Sequence, residues 1–390
     1  MGSFNLFHDF RGGEMGTIAD HGNCRETCLP AIIASLIVFL LLSVLTGCSP
    51  PKNKPRYIWP VPPEQARVEY LQTIYRPEDL QLQPDSLSKA LLGRQEPLFQ
   101  TPFDLLTDRR GRLVVSDSRA GLLWVLTRRG KVTSLPANGK RLHLPLGIAE
   151  DSDGRLYVAE GTEKRITVLN PAGEIERRIG EDIFSGNPSF LAIARHRKLL
   201  YASDTRNHQV LVFTCGGEYL RTIGTPGTGP GELAAPQGLA VNNKGELLVA
   251  DMLNSRLSVF GPDGGFRRTI PFTGWEAYYF NSPKGITIGS DGTLWITDQR
   301  VGALVAYSRE EKPEMVIGAG HMSAHPMAFV APSGVSVTSN GSLWIADILM
   351  RRLSHWQQLT PSYLAVHPFD EATRRRLAAY GRHPRQASRE

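Results

Sequence analysis

Six acidic residues recur along the chain at nearly equal spacing, and each closes a short apolar run. A ring of carboxylates at equivalent positions could carry acid–base chemistry. Each acid could instead end a strand by accepting N–H groups of the adjacent turn, or pair with a nearby base such as Arg165 or Arg256. We expect the structural role for all six. They follow one another at intervals of 43 to 49 residues and are Asp117, Glu160, Asp204, Asp251, Asp298 and Asp347.

Two histidines with metal-binding spacing, His321 and His325, precede the last of these acids. The His-x3-His spacing binds one metal ion when it lies on a helix. A Gly-Ala-Gly stretch and Pro326 flank this segment, so helical geometry is not expected. His143 could supply a third ligand only if its loop met theirs. We therefore expect exposed loop histidines, no metal site and no cofactor.

Short β runs must position these residues. The clearest copy spans 236–270, opens with Pro-Gln-Gly-Leu-Ala-Val, and holds four apolar runs of about five residues separated by turn residues. The same opening is legible from five other prolines. A period in the forties built from short strands is typical of a propeller blade. The sequence therefore predicts an all-β, six-bladed propeller over 100–369. The other five openings begin at Pro102, Pro145, Pro188, Pro283 and Pro332.

The sixth repeat predicts how the ring closes. After its third run, Arg352–Trp356, it has no obvious fourth strand before Thr360-Pro361. An isolated run at 68–74, Val-Glu-Tyr-Leu-Gln-Thr-Ile, closely matches the fourth strand of the third repeat. We expect residues 67–74 to complete the last blade as its outer strand, which would join the two ends of the ring non-covalently.

The third repeat carries a family resemblance. Its string Asp204-Thr-Arg-Asn-His-Gln-Val-Leu-Val-Phe213, together with the Pro-x-Gly-Leu-Ala-Val openings, resembles NHL-repeat proteins. That family forms six-bladed propellers, so the resemblance agrees with the fold drawn from the period. Its function varies widely among members, because one propeller can host many activities.

The resemblance raises two enzyme hypotheses, a zinc lyase and a gluconolactonase-like calcium enzyme. The zinc lyases with this ring bind their metal with channel histidines, some directly after the opening proline. Here none of the residues after those prolines is a first-choice zinc ligand, and Lys284 would repel a cation. A calcium cage needs several axial oxygens, and the inner strands offer Asp104 and little else. The six residues after the prolines are Phe103, Leu146, Ser189, Gln237, Lys284 and Ser333.

The N-terminus predicts a bacterial lipoprotein. Residues 29–45 are uncharged and apolar, which suits a secretory signal better than a spanning helix. Leu45-Thr-Gly-Cys48 follows and looks like a lipobox, in which cleavage precedes Cys48 and the cysteine is lipidated. Ser49 comes next, which in enteric-type sorting directs a lipoprotein to the outer membrane. The alternative is an uncleaved membrane anchor with an incidental cysteine.

The chain divides into five predicted parts. Residues 1–47 form the signal peptide, and 48–66 form the lipidated cysteine with a stiff proline-rich tether. Residues 67–99 hold the closing strand and a short helix near 84–93, 100–369 the propeller, and 370–390 a basic tail. The pair Tyr57 and Trp59 in the tether could rest either at the lipid interface or on the propeller.

Charge argues against a nucleic-acid partner. The chain has a formal net charge of +6, yet residues 65–369 hold 33 basic and 30 acidic side chains. A nucleic-acid-binding protein carries its basic footprint on the folded surface. The excess lies in 49–64 and 370–390, where it fits anionic lipid headgroups or surface polysaccharide.

These observations favour a non-enzymatic binding or scaffold protein on the bacterial cell envelope, anchored through Cys48. We expect its binding face on the loops between blades, and its partner to be a protein or a glycan. Aromatic residues between the fourth and fifth blades could either anchor that partner or pack against the neighbouring blade. The alternative is a metal-dependent lyase or lactone hydrolase at the channel mouth. The candidate residues are Gln237, Lys284, Ser333, His325, Tyr278 and Tyr279.

Overall fold

The fold is seen in a computed structural model of the chain. All described residues belong to one compact unit that begins at Arg56. Several residues singled out above lie outside the described part, namely Cys48, the helix expected near 84–93, Tyr278, Tyr279, His321 and His325. The structure describes residues 56–60, 64–76, 79, 97–127, 130–270, 281–318 and 328–382.

The strands form six antiparallel sheets arranged as the blades of a propeller. Two strands precede the repeats, β1 (Tyr57–Trp59) and β2 (Val68–Ile74). Blade 1 holds β3 (Pro102–Thr107), β4 (Leu113–Asp117), β5 (Leu122–Leu126) and β6 (Val132–Leu135). Blade 2 holds β7 (Pro145–Glu150), β8 (Leu156–Glu160), β9 (Arg165–Leu169) and β10 (Ile175–Ile179). Blade 3 holds β11 (Pro188–Ala194), β12 (Leu199–Asp204), β13 (Gln209–Thr214) and β14 (Tyr219–Ile223).

The second half of the ring repeats this order. A short parallel pair, β15 (Thr225–Pro226) and β16 (Glu232–Leu233), leads into blade 4. Blade 4 holds β17 (Pro236–Val241), β18 (Leu247–Asp251), β19 (Arg256–Phe260) and β20 (Phe266–Ile270). Blade 5 holds β21 (Pro283–Ile288), β22 (Leu294–Asp298), β23 (Ala303–Tyr307) and β24 (Pro313–Gly318). Blade 6 begins with β25 (Pro332–Val337), β26 (Ser342–Asp347) and β27 (Arg352–Gln358).

Glycine at the third position of the inner strands lets neighbouring blades approach closely. A Cβ on Gly238 would lie 2.2 Å from the carbonyl oxygen of Lys284 in the next blade. A Cβ on Gly285 would lie 2.1 Å from the carbonyl oxygen of Ser333. Both distances are far below van der Waals contact, so any side chain there would push the blades apart. In the four blades that have the Pro-x-Gly opening, the glycine is therefore required by the packing of the next blade.

Blade 6 is completed by strands from the N-terminal end of the chain. Strand β2 pairs antiparallel with β27, from Val68 opposite Gln358 to Ile74 opposite Leu353. Both Val68 and Ile74 are fully buried. Residues 68–74 therefore lie beside the third strand of the last repeat, as the sequence predicted. The strand order in this sheet is β1-β2-β27-β26-β25.

The tether differs from its expected form, because part of it is a strand. Residues Tyr57–Trp59 form β1, which pairs with β2 as a fifth strand of blade 6. The Trp59 Nε1 donates a hydrogen bond to the Val316 carbonyl at 2.7 Å, and the Tyr57 and Tyr70 rings meet edge to face with centroids 6.1 Å apart. Of the two locations left open for Tyr57 and Trp59, the structure has the one on the propeller. The extended backbone that the surrounding prolines favour is compatible with this strand.

Two helices follow the ring and hold its first strand. The helix α1 (Pro361–Val366) is capped by Thr360, and α2 (Glu371–Arg382) follows it. Arg56, ahead of β1, donates to both carboxylate oxygens of Glu69, and its guanidinium lies 5.0 Å from the centre of the Phe369 ring. The two ends of the described chain therefore meet on blade 6. Within the described ranges, no helix is both long and apolar enough to cross a membrane.

Candidate functional site

The six recurring acids lie at the ends of the second strands and are almost fully buried. Asp117 accepts the backbone N–H groups of Gln100 at 2.7 Å and Thr101 at 2.8 Å, both from the loop entering its own blade. Asp298 and Asp347 accept N–H groups from the corresponding loops in the same way. These carboxylates fasten each inter-blade loop to the adjacent turn. They have the geometry of structural acids.

The partners of the acids vary from blade to blade. Glu160 and Asp251 also form ion pairs, with Arg165 at 2.9 Å and Arg256 at 2.8 Å. Asp204 departs from the pattern: its Oδ2 accepts from the Asn207 amide at 2.7 Å, but its Oδ1 is buried without a hydrogen-bond partner. The Asn-His phrase of the third repeat therefore replaces part of the backbone capping seen in the other blades.

The residues after the opening prolines gather at the axial end of the ring on the inter-blade loop side, which we call the axial mouth. The Ser189 hydroxyl lies 2.7 Å from the Thr205 hydroxyl, and the Gln237 amide reaches the same Thr205 oxygen at 3.4 Å. Ser333 is fully buried and its hydroxyl has no hydrogen-bond partner. Three of the predicted binding residues, Gln237, Lys284 and Ser333, thus belong to one ring of positions.

Lys284 is the charged group of the axial mouth. The residue is only 9% exposed, and its Nζ donates to the Gln299 Oε1 at 3.0 Å. The same Nζ lies 5.0 Å from the centre of the Phe103 ring, in a blade that is not adjacent in the ring. Burial lowers the pKa of Lys284 to about 8. Among the described residues no carboxylate lies within ion-pair distance of it.

Two phenylalanine rings meet near the axis, and one of them, Phe103, is the neighbour of this lysine. The Phe103 and Phe190 rings, from blades 1 and 3, have centroids 5.1 Å apart. Side chains from non-adjacent blades can meet only near the axis, so these contacts place Phe103, Phe190 and Lys284 close to it. The sequence analysis missed Phe190. The signal was present, because Pro188-Ser-Phe departs from the Pro-x-Gly opening of blades 2, 4, 5 and 6.

Asp104, the carboxylate on the inner strands that the calcium hypothesis required, is committed to the backbone. Its Oδ1 accepts the Leu105 N–H at 2.9 Å, and its Oδ2 accepts the Ile148 N–H of blade 2 at 3.0 Å. Burial raises the pKa of Asp104 to about 7. The residue therefore joins two inner strands at the position where blades 2, 4, 5 and 6 carry glycine.

The histidine His143 lies away from the axial mouth. Its side chain is 59% exposed, and its Nδ1 is 3.7 Å from a Glu163 carboxylate oxygen, while its backbone N–H donates to Glu160. Over the described ranges, no three or more His, Cys, Asp or Glu side chains group as metal ligands would. His321 and His325 lie outside those ranges.

The opposite end of the channel has a different character. A cleft of about 570 Å³ lies where the inner strands of blades 1 to 4 end. Its exposed side chains are basic or neutral and include Arg195, His196 and Lys244. Glu150 is its acid: it accepts the Arg109 N–H at 3.0 Å, and burial raises its pKa. No prediction from the sequence pointed to this end.

Comparison with known proteins agrees with this architecture. A family model described as a 6-bladed beta-propeller matches residues 186–248, which include the Asp204–Phe213 phrase. The chain is a six-bladed β-propeller. A search of curated proteins finds no match.

Several solved structures share the fold at low sequence identity. A gluconolactonase from Xanthomonas campestris is 18% identical, with a TM-score of 0.53 over 67% of this chain and 86% of that one. A virginiamycin B lyase from Staphylococcus aureus, with quinupristin, is 17% identical, with a TM-score of 0.51 over 68% and 83%. A streptogramin B lyase is 18% identical, with a TM-score of 0.50 over 65% and 78%. At such identity the likeness establishes the fold, and any activity must be argued from the site.

Proposed function

We propose that this propeller is a non-enzymatic binding protein that recognises an anionic group of its partner at the axial mouth. The observation that carries the proposal is Lys284, whose ammonium group is buried on the axis without a described carboxylate beside it. The amide oxygen of Gln299 and the face of Phe103 are its neighbours. A carboxylate is the chemical group that this arrangement lacks.

The energetics of a buried charge explain why a ligand would bind there. An ammonium taken out of water costs free energy unless it is paired, and the lowered pKa of Lys284 expresses that cost. An anionic ligand would recover part of it, since a charge-assisted hydrogen bond is about twice as strong as a neutral one. The neighbouring Phe103 ring, which packs against Phe190, adds an apolar wall for the rest of the ligand.

The envelope location belongs to the same proposal. Cys48 carries the lipid anchor, the protein is held on the bacterial cell envelope at the outer membrane, and the partner is an acidic glycan or a protein. Because β1 begins at Tyr57, only about eight residues link the anchor to the ring, which extended chain would span in roughly 25–30 Å. The ring is therefore held close to the membrane. Tyr278, Tyr279 and His325 remain candidates for further partner contacts.

Calorimetry with benzoate tests the anion site, and benzamide serves as its neutral match. We expect the full chain to bind benzoate and not benzamide. Binding requires the charged lysine, so the affinity should fall about tenfold per pH unit above pH 8. Near pH 8 roughly half a proton should be taken up for each benzoate bound, which titrations in two buffers of different ionisation enthalpy measure.

A matched pair of variants separates the site from general charge. Lys284→Met should lose benzoate binding, whereas Lys244→Met removes the same charge from the exposed opposite end and should retain it. Equal binding by Lys284→Met and the wild-type chain would refute the proposed anion site. So would binding of benzamide with the affinity of benzoate.

The second candidate is a metal-dependent lyase or lactone hydrolase at the channel mouth. The solved lyase and gluconolactonase structures with the same fold favour it. Two residues weigh against it, because Lys284 occupies the axis with a positive charge and Asp104 is bound to backbone N–H groups. Metal analysis after dialysis against zinc and calcium tests it. About one retained ion per chain, lost in His325→Ala, would support the enzyme, and no retained ion would remove it.

A further inference from the structure

A cleft between blades 6 and 1, which we call the blade 6–1 cleft, has a lining that differs from that of the charged cleft between blades 2 and 3. It has a volume of about 310 Å³, at the lower end of the range of small-ligand sites. Blade 1 contributes Thr107, Leu113 and Leu126 to one wall. Blade 6 forms the other wall, with Gln72, Asn340, Ser342, Trp344, His355 and Gln357.

No charged side chain lines the blade 6–1 cleft among the described residues. The cleft between blades 2 and 3, by contrast, is lined by Asp151, Arg155, Arg177 and other charged groups. Burial lowers the pKa of His355 to about 4, so its imidazole is neutral at physiological pH. Hydroxyl, amide and imidazole groups are thus the polar chemistry that the cleft offers.

An aromatic stack forms the centre of the blade 6 wall. Trp344 and His355 are cross-strand partners in β26 and β27, and Gln72 of β2 is the partner of His355 on its other side. The Trp344 and His355 rings are stacked with centroids 3.7 Å apart and planes 6° from parallel. The Ser342 hydroxyl forms a hydrogen bond with the His355 Nε2 at 2.7 Å, which fixes the orientation of the imidazole. The register of β2, β27 and β26 therefore places the Gln72 amide, the His355 imidazole and the Trp344 indole side by side across the sheet.

Polar atoms of the cleft walls lack partners within the protein. The buried Thr107 Oγ1 on blade 1 and the buried His355 Nδ1 on blade 6 have no hydrogen-bond partner. A buried polar group without a partner costs roughly 1–3 kcal/mol, and native proteins hold few of them. Two such atoms in the opposite walls of one cleft point to a ligand that hydrogen-bonds both walls.

We propose that the blade 6–1 cleft is a second binding site, specific for a neutral polyhydroxylated ligand, with a mono- or disaccharide as the fitting class. The aromatic face suits the C–H surface of a sugar ring, and the amide and hydroxyl groups suit its O–H groups. The absence of charge in the described lining disfavours an ionic ligand. This site is independent of the axial mouth and does not rest on the function proposed for it.

Saturation-transfer NMR on the full chain tests the site with maltose, cellobiose and N,N′-diacetylchitobiose as neutral probes and glucuronate as the charged comparison. We expect transfer to at least one neutral disaccharide and a weaker signal for glucuronate. Trp344→Ala should abolish that transfer. Tyr219→Ala removes an exposed aromatic residue of blade 3 and should leave it unchanged.

Thr107→Val keeps the test valid if Trp344→Ala fails to fold. The Thr107 Oγ1 has no partner in the protein, so valine costs no internal hydrogen bond and the fold should be retained. Affinity for the bound disaccharide should fall about fivefold to tenfold, the effect of one lost hydrogen bond. Transfer to none of the three disaccharides, or equal transfer to a folded Thr107→Val protein, would overturn the proposal.

Discussion

The axial mouth and the blade 6–1 cleft lie on different faces of one ring and present opposite chemistry. The axial mouth centres on one buried ammonium, that of Lys284, beside the Phe103 ring, which in turn packs against Phe190. The cleft presents neutral amides and hydroxyls around the Trp344–His355 stack. The first takes its residues from inner strands of non-adjacent blades, and the second takes them from the facing walls of two adjacent blades. A propeller can therefore vary its axis and its blade interfaces independently.

The two sites also depend differently on ring closure. Lys284 and Phe103 lie on inner strands, which are covalently continuous with their blades. Gln72 of the cleft lies on β2, which is held to blade 6 by strand pairing and packing. Loss of β2 should therefore affect the cleft first and the axial mouth only through general unfolding.

Deleting residues 65–76 gives the largest expected effect. The deletion removes β2 with its buried Val68 and Ile74, each worth about 1.5–3 kcal/mol, and exposes an edge of β27. We expect the melting temperature to fall by more than about 10 °C in thermal circular dichroism. Removing 383–390 is the control and should cost little. An unchanged melting temperature after the 65–76 deletion would show that β2 does not close the ring.

Lys284→Met should stabilise the protein at neutral pH. The folded-state pKa of Lys284, about 8, lies below its ordinary value of 10.5, so charging this lysine opposes folding below pH 8. That penalty fades as pH rises from 8 to 10.5, because the unfolded chain then binds more protons than the folded one. We expect the variant to gain about 3 kcal/mol at pH 7 in urea unfolding and to lose this advantage above pH 10.5. Equal stability of the two proteins at pH 7 would mean that the lysine is solvated.

His355→Gln tests whether the imidazole in the blade 6–1 cleft is buried and neutral. The folded-state pKa of His355, about 4, lies below its ordinary value of 6.5. Acidification from pH 6.5 to 4 therefore removes stability from the wild-type protein, since the unfolded chain takes up the proton first. The glutamine variant should lack about 2 kcal/mol of this acid sensitivity in unfolding measured at pH 7 and pH 4.5. Identical pH profiles for both proteins would place the imidazole in water.

Trp59→Phe should give the smallest effect. It removes the Trp59 hydrogen bond to the Val316 carbonyl and keeps an aromatic ring on β1. We expect a loss of about 1 kcal/mol in unfolding free energy, with benzoate and disaccharide binding unchanged. A larger loss, accompanied by weaker disaccharide binding, would show that β1 supports the wall of the blade 6–1 cleft.

Much of the fold could be predicted from the sequence, because its determinants are local and repeated. Each blade is marked by its own apolar runs and by turn residues such as Gly154. The regular spacing of the six acids then shows that the same unit recurs six times. The strand at 68–74 was recognisable by its likeness to Tyr219–Ile223. The strand at Tyr57–Trp59 was not, since its neighbouring prolines read as tether and its contacts lie in blades 5 and 6.

The sites were less predictable, because they arise where distant segments meet. Position in the repeat placed Gln237, Lys284 and Ser333 on one mouth, yet nothing local shows that Phe103 and Lys284 touch across the axis. The Trp344–His355 stack depends on the register of β26 with β27. The blade 6–1 cleft further needs Gln72, which reaches it from the other end of the chain.

Closure by β2 also sets the order of events during synthesis. The strand is made early, but its partner β27 emerges about 280 residues later. At roughly 5–20 residues per second, β2 stays unpaired for about 15–60 seconds. An unpaired strand edge is open to wrong partners during that interval. The ring can finish folding only when its last blade has been made, and a chain that ends early keeps an open seam that proteases can enter.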